Sequence, residues 1–179
     1  KCIADLKVHG EAGQFQQRPT PRGGQVFNSE LFKIVKSDTL DLNNLRLMRY
    51  FDKAGSDGAG DWTVGTLMAR TKTRPFQFYI LDMHRVQLSY FGRMAEMKKI
   101  AKQDMENYVL SKTNCDYTIG IEREGGSSGK DVSLIEKEEL VGYDVWIDYK
   151  KVSKETRAKI VKQRSEGGYI KVVENHVWN

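Results

Sequence analysis

Short runs rich in β-branched and aromatic residues begin at residue 45: Leu45 to Phe51, Trp62 to Arg70 and Phe76 to Met83, separated by Gly, Asp and Pro. They predict three successive strands. The period then changes. Phe91, Met94, Met97, Ala101, Met105 and Tyr108 recur at three- and four-residue spacing, which predicts an amphipathic helix over Tyr90 to Lys112 whose methionines pack the core. Beyond it, Tyr117 to Glu122 reads as a strand, Ser128 to Leu140 as a helix, Tyr143 to Tyr149 as a strand, Ser153 to Glu166 as a helix and Tyr169 to Val173 as a strand.

This alternation constrains the topology. Three strands joined by short connections are antiparallel neighbours, whereas strands joined through helices are right-handed crossovers and usually parallel. The expected fold is therefore α/β, a mixed β-sheet flanked by helices. Residues 1–30 show no sustained period and hold two of the three prolines, within Arg18-Pro19-Thr20-Pro21-Arg22-Gly23-Gly24. They read as an arm or linker, so residues 1–40 are expected to be an N-terminal arm and 41–179 the domain.

With 179 residues, 39% hydrophobic and 30% charged, the chain has the composition of a globular protein with one sizeable core. No apolar run reaches the ~20 residues that a membrane helix needs, and the start Lys1-Cys2-Ile3-Ala4-Asp5 has no apolar leader core, so a cytosolic setting without membrane contact is expected. Cys2 and Cys115 lie far apart without a CxxC partner, and His9, His84 and His176 show no metal spacing. The net charge of +5 is unevenly spread, since residues 1–50 and 150–179 have a basic excess and 51–149 an acidic one. Basic flanks favour a polyanion, but carboxylates close to phosphates repel them unless cations intervene. The combination points to metal-dependent phosphodiester chemistry; an ordinary solvated surface is the plainer alternative.

Two acids stand out. Asp52 ends the first strand and opens the loop Asp52-Lys53-Ala54-Gly55-Ser56-Asp57-Gly58-Ala59-Gly60-Asp61, where a substrate backbone can approach closely. A turn-forming Asp is the alternative. Ala54 and Ser56 at ligand positions exclude an EF-hand. Glu122 closes the fourth strand before Arg123-Glu124-Gly125-Gly126-Ser127-Ser128-Gly129-Lys130, a glycine-rich helix entry that fails the P-loop spacing. Its free N–H groups suit a phosphate, or Ser127 or Ser128 simply caps the helix.

In a mixed sheet of this order the fourth strand lies beside and parallel to the first. Asp52 and Glu122 are then neighbours at the carboxyl ends of parallel strands, an oxygen-rich cleft suited to Mg²⁺ or Mn²⁺. Asp61 is a further ligand candidate, with Asp57 behind it. Asp82 ranks lower, on the expectation that a third antiparallel strand ends at the opposite edge from the first. In the basic tail, Lys151, Lys154 and Lys162 are expected to share a helix face with Ile160 and Val161 turned away, forming either a DNA-backbone stripe or a solvated face.

Several segments, in order, resemble the nuclease domain of phage terminase large subunits, the DNA-packaging motors of tailed bacteriophages. They are Gln14 to Pro19, Gly23 to Phe27, Tyr50-Phe51-Asp52-Lys53-Ala54, Gly60-Asp61-Trp62-Thr63-Val64-Gly65, Tyr79 to Arg85, Ile119 to Lys130, Lys154 to Ala158 and Val177-Trp178-Asn179. The resemblance spans residues 14–179 and implies a ribonuclease H-like fold. It further implies endonucleolytic cutting of concatemeric double-stranded viral DNA with Mg²⁺ or Mn²⁺, in the cytoplasm of an infected bacterium and transiently at the procapsid portal. Implied partners are the terminase ATPase domain, the small terminase subunit and the portal protein. Asp52 matches the family's first-strand catalytic acid, Glu122 its fourth-strand acid and Asp61 the additional Asp of the first loop, all three as metal ligands. Lys130, Lys154 and Arg157 are the expected phosphate contacts. In the family a further acidic motif lies downstream of the Trp-Asn, so a nuclease domain shortened at its C-terminus, weakened in metal affinity and in cleavage, is expected. Rival readings are a DNA-gripping module that does not cut, and another ribonuclease H-like nuclease such as a junction resolvase.

Overall fold

The computed structural model describes residues 29–54, 62–110, 115–123, 127–149 and 151–174, with backbone alone at 127–130. The strands are β1 (Lys33–Val35), β2 (Leu45–Asp52), β3 (Thr63–Thr71), β4 (Phe78–Val86), β5 (Asp116–Glu122), β6 (Asp144–Asp148) and β7 (Ile170–Val173). The helices are α1 (Tyr90–Asp104), α2 (Ser127–Glu139) and α3 (Lys154–Glu166). One seven-stranded sheet runs β1-β7-β4-β3-β2-β5-β6. β2, β3 and β4 form the antiparallel meander, and β5 lies parallel beside β2 with β6 parallel beyond it, as the sequence leads one to expect. β7 returns to the far side and pairs parallel with β4. Lys33–Val35, inside the segment read as an arm, adds a short parallel edge strand to β7.

Strand alternation divides the sheet into two faces. Leu45, Leu47, Phe51, Leu67, Ala69, Ile119, Ile121 and Val145 face one way and pack with Met94, Met97, Ile100 and Ala101 of α1 and Leu140 after α2. Phe51 lies across its neighbour Gly65, where a Cβ would stand 2.6 Å from the ring. Phe91 does not join this core: it is 83% exposed. The buried side of α1 is Arg93, Met94, Met97, Ile100, Ala101 and Asp104, and at 3.6 residues per turn Phe91 projects about 120° from that side. From Met105 to Val109 the helix widens into a π-turn ending before the expected limit.

A charged group sits inside this core. Arg49 is buried, its Nε and Nη2 donating to both oxygens of Asp104 at 2.8 and 2.7 Å, and its Nη1 donating to Asp82 at 2.7 Å and the Gly65 carbonyl at 3.1 Å. Tyr117 donates to the same Asp104 at 2.9 Å. Burial disfavours the guanidinium's charge, but Asp104 and then Asp82 outweigh it and hold Arg49 above its ordinary value. The bidentate geometry offsets a desolvation cost of several kcal/mol per ion.

Among the described residues, α3 is the helix that covers the other face. Ser153 caps this helix by accepting from the Thr156 N–H at 3.3 Å. Lys151 therefore precedes the helix and does not share a face with Lys154 and Lys162. Ile160 and Val161 line an apolar cleft with Met68, Phe78, Ile80, Met83 and Ile170, although each stays partly exposed. Among the described residues no helix is long and apolar enough to cross a membrane.

Candidate active site

β2 and β5 are in register up to the pair Phe51 and Ile121, both buried in the core. The next residue on each strand is Asp52 and Glu122. Alternation turns both to the face opposite the core, at the carboxyl edge of the sheet. Asp52 is exposed and Glu122 half-buried. The expected juxtaposition of these two acids is thus present. Asp61 and Asp57 lie outside the described residues.

A third acid occupies the same row. Glu122 pairs with Asp148 at the end of β6, and buried Val145 and Ile147 assign Asp148 to the same face as Asp52 and Glu122. With strands ~4.8 Å apart, three carboxylates follow one another across β2, β5 and β6. Tyr50 on β2 reaches over β5 to donate to Asp148 at 2.9 Å. That reach depends on Gly120, the β5 partner of Tyr50, where a Cβ would meet the ring at 2.7 Å. Burial, then the hydrogen bond to Asp148 and its charge, push the Tyr50 hydroxyl well above the ordinary phenol range; Arg157 pulls the other way. Arg157 therefore stands within electrostatic reach of this row, half-buried, with its Nε enclosed and unpartnered among the described residues. Asp148 is not singled out by the sequence because the expected strand runs on to Tyr149; in the structure β6 ends at Asp148, as β2 ends at Asp52.

The strand end that carries Asp52 is anchored from beneath. Lys53 turns inward and meets Glu136 of α2 at 2.5 Å, the two side chains 1% and 0% exposed. Arg93 of α1 approaches the other Glu136 oxygen at 3.5 Å and donates to the Ala54 carbonyl at 3.0 Å. The Ala54 N–H donates to the Thr63 hydroxyl at 3.0 Å. Both backbone groups of Ala54 are thereby fixed two residues after Asp52.

Asp82 takes no part, for a reason other than the expected one. β4 is antiparallel to β3 and so runs in the same direction as β2, ending at the same edge. Asp82 sits in mid-strand opposite Leu67, on the core face, tied to Arg49. Of the expected phosphate contacts, Lys154 is exposed on the first turn of α3 and Arg157 lies one turn on, beside the acids; the Lys130 side chain is outside the described residues.

The donor set is all carboxylate, suited to hard cations such as Mg²⁺ or Mn²⁺. Among the described residues no three His, Cys, Asp or Glu side chains converge closely enough to enclose an ion. A Mg²⁺ site does not require such a cage, because the ion keeps several waters and binds through one or two carboxylates plus substrate phosphate. In chemistry and placement, Asp52 and Glu122 fit.

No family model matches the sequence, and no curated protein matches it. Solved structures do. The nuclease domain of the P22 large terminase aligns with a TM-score of 0.56 at 12% identity, covering 85% of this chain and 73% of that one. The large terminase nuclease of thermophilic phage G20c with bound magnesium aligns at 0.53 and 12% identity, covering 87% and 77%. The human cytomegalovirus terminase nuclease domain aligns at 0.50 and 14% identity, covering 84% and 77%. The mixed sheet, its strand order and its flanking helices are thus the ribonuclease H-like fold of terminase nuclease domains.

Proposed function

We propose that this chain is the metal-dependent nuclease domain of a terminase large subunit, cutting concatemeric double-stranded DNA during viral genome packaging. The observation that carries this reading is the row of Asp52, Glu122 and Asp148 at the carboxyl ends of three adjacent parallel strands, on one face of the sheet. The fold shared with terminase nucleases supports it. The G20c nuclease has been solved with zinc or magnesium, and the cytomegalovirus domain after a manganese soak.

Asp52 and Glu122 would hold Mg²⁺ or Mn²⁺, with Asp61 as an additional ligand. Such ions supply an activated water and charge stabilisation for the departing oxygen of a phosphodiester. The protein's share is positional. Lys53, Arg93 and Thr63 fix the strand end beneath Asp52, the β2–β5 register sets Glu122 beside it, and Tyr50 restrains Asp148. Arg157 and Lys154 bring positive charge to phosphates that the acids would otherwise repel. The working partners in this reading are double-stranded DNA, the terminase ATPase domain, the small terminase subunit and the portal, in the cytoplasm of an infected bacterium.

The deciding assay is conversion of supercoiled plasmid to nicked and linear forms in Mn²⁺. Cleavage is expected from the wild type and its loss, by 10²-fold or more on the scale of a lost catalytic electrostatic group, in Asp52→Asn and Glu122→Gln and in EDTA. The open spacing of the acids favours one second reading, a domain that grips DNA without cutting it. Intact DNA binding without plasmid conversion would select that reading, and preference for four-way junctions over linear duplex would select a resolvase.

A further inference from the structure

Two arginine–aromatic pairs flank the acids Asp52 and Glu122. Arg85 of β4 is level with Val64 and hence with Asp52, on the same face. Its guanidinium lies 4.7 Å from the ring centre of Trp62, which is 46% exposed. Beyond the ends of β5 and β6, Arg123, one residue past Glu122 and by alternation on the other side of the strand, lies 5.2 Å over Tyr149, one residue past Asp148, and Tyr149 is 50% exposed at the rim of the same edge. The Arg123 N–H continues the ladder by donating to the Asp148 carbonyl at 3.0 Å. Among the described residues neither arginine forms an ion pair with a carboxylate, and the Arg123 Nε is enclosed without a partner.

Stacking on a ring fixes the plane of a guanidinium while leaving its N–H edge free, and that edge matches phosphate oxygens. An arginine held so loses less freedom when it binds. The acids between the two pairs repel a polyanion, so binding cations must stand to either side of them.

We infer that a DNA backbone runs along the carboxyl edge of the sheet from Arg85–Trp62 to Arg123–Tyr149, each stacked arginine contacting a phosphate. The inference rests on the nuclease reading for the identity of the ligand. Between the two arginines the path crosses β4, β3, β2 and β5, three intervals of ~4.8 Å or about 14 Å, which at 3.4 Å per base pair is roughly four base pairs. The scissile phosphate falls within it, over Asp52 and Glu122.

The test is binding of a labelled 20-base-pair duplex in EDTA, followed by fluorescence anisotropy over a salt titration. Arg85→Ala and Arg123→Ala are each expected to lower affinity and to reduce the slope of log K against log salt by about 0.9, one phosphate each. Trp62→Leu and Tyr149→Leu, which keep the charges, are expected to weaken binding about two- to fivefold, the worth of an exposed stacking contact. Arg70→Ala is the control, because Arg70 stacks on Phe76 at the opposite end of the sheet and should leave the slope unchanged. Wild-type slopes in Arg85→Ala and Arg123→Ala, an equal loss in Arg70→Ala, or no binding by the wild type would each overturn the path. A domain that cuts plasmid but shows unaltered slopes would sink this path and spare the nuclease reading. One that never cuts yet shows the expected slopes would do the reverse.

Discussion

Tyr50 passes over the bare Cα of Gly120 to hydrogen-bond Asp148 at 2.9 Å, linking β2 to β6 across the strand between them. The link ties the strands of two members of the acidic row, Asp52 and Asp148, directly to each other as well as through β5.

Gly120→Ala tests that link directly. The added methyl would overlap the Tyr50 ring, and the backbone of β5 has little freedom to give way. A loss of about 1–3 kcal/mol is expected, the ordinary cost of overpacking, measured by urea unfolding. Tyr50 should then titrate closer to an ordinary tyrosine, because it would lose both its enclosure and its carboxylate partner. Tyr50→Phe in the Gly120→Ala background should recover none of the loss, since the clash is with the ring.

The Arg49 group makes a second prediction. Asp104→Asn leaves a buried guanidinium with one carboxylate in place of two, and a destabilisation of about 3–5 kcal/mol is expected, that of breaking a buried ion pair from one side. Replacing the group by apolar residues of similar volume, Arg49→Met with Asp104→Leu and Asp82→Leu, should cost much less than the single change. Denaturant midpoints of the two variants distinguish these outcomes.

Glu136→Gln should behave like Asp104→Asn in stability and unlike it in function. It removes the anion shared by Lys53 and Arg93 directly beneath Asp52. Amide hydrogen exchange at Lys53 and Ala54 is expected to speed up, and the Mn²⁺ concentration for half-maximal plasmid cleavage to rise, whereas Asp104→Asn leaves both near wild type at an equal fraction folded.

Alkaline pH gives a further test. Burial first, then Asp104, raises the Tyr117 hydroxyl far above its ordinary value, and Tyr50 is raised by burial and Asp148. Above about pH 10, the ordinary tyrosine value, the unfolded chain releases protons that the folded domain keeps. The unfolded state then binds fewer protons, so a stability fully present below that pH falls as pH rises. Urea midpoints at neutral pH and at about pH 11 should show the decline, and Tyr117→Phe should flatten it.

Much of this arrangement was legible along the chain because strand parity is legible. Alternation in Leu45 to Phe51 and in Tyr117 to Ile121 determined which residues point inward, and the order of elements placed β5 beside β2, which brings Asp52 and Glu122 together. Asp148 follows the same rule on β6, but the sequence extends that strand to Tyr149, which hides the acid at its end. The errors arose where periodicity is silent. Phe91 matched a helical repeat without facing the sheet, because spacing gives an angle and not a partner. An irregularity between Leu67 and Met68 in the β3–β4 ladder leaves Leu81 as an extra residue, and β4 runs on through His84 and Arg85 to Val86, past the expected end at Met83, because β3 begins at Thr63 and pairs with it that far. Strand parity turns Arg49 inward with Leu47 and Phe51, but nothing on its own strand shows what makes that burial tolerable, since the carboxylates come from residues 33 and 55 positions away.

The apolar residues that precede Asp52, Glu122 and Asp148 set the phase of the site. Phe51, Ile121 and Ile147 are buried on the core face and so turn each following acid outward, and exchange of one for another apolar side chain of suitable size keeps that phase. A length change cannot be absorbed in that way. One residue inserted or deleted within β2, β5 or β6 would drive a carboxylate into the core and an apolar side chain out of it. What aims the acids is the count of residues between the core and the edge, more than which apolar side chains precede them.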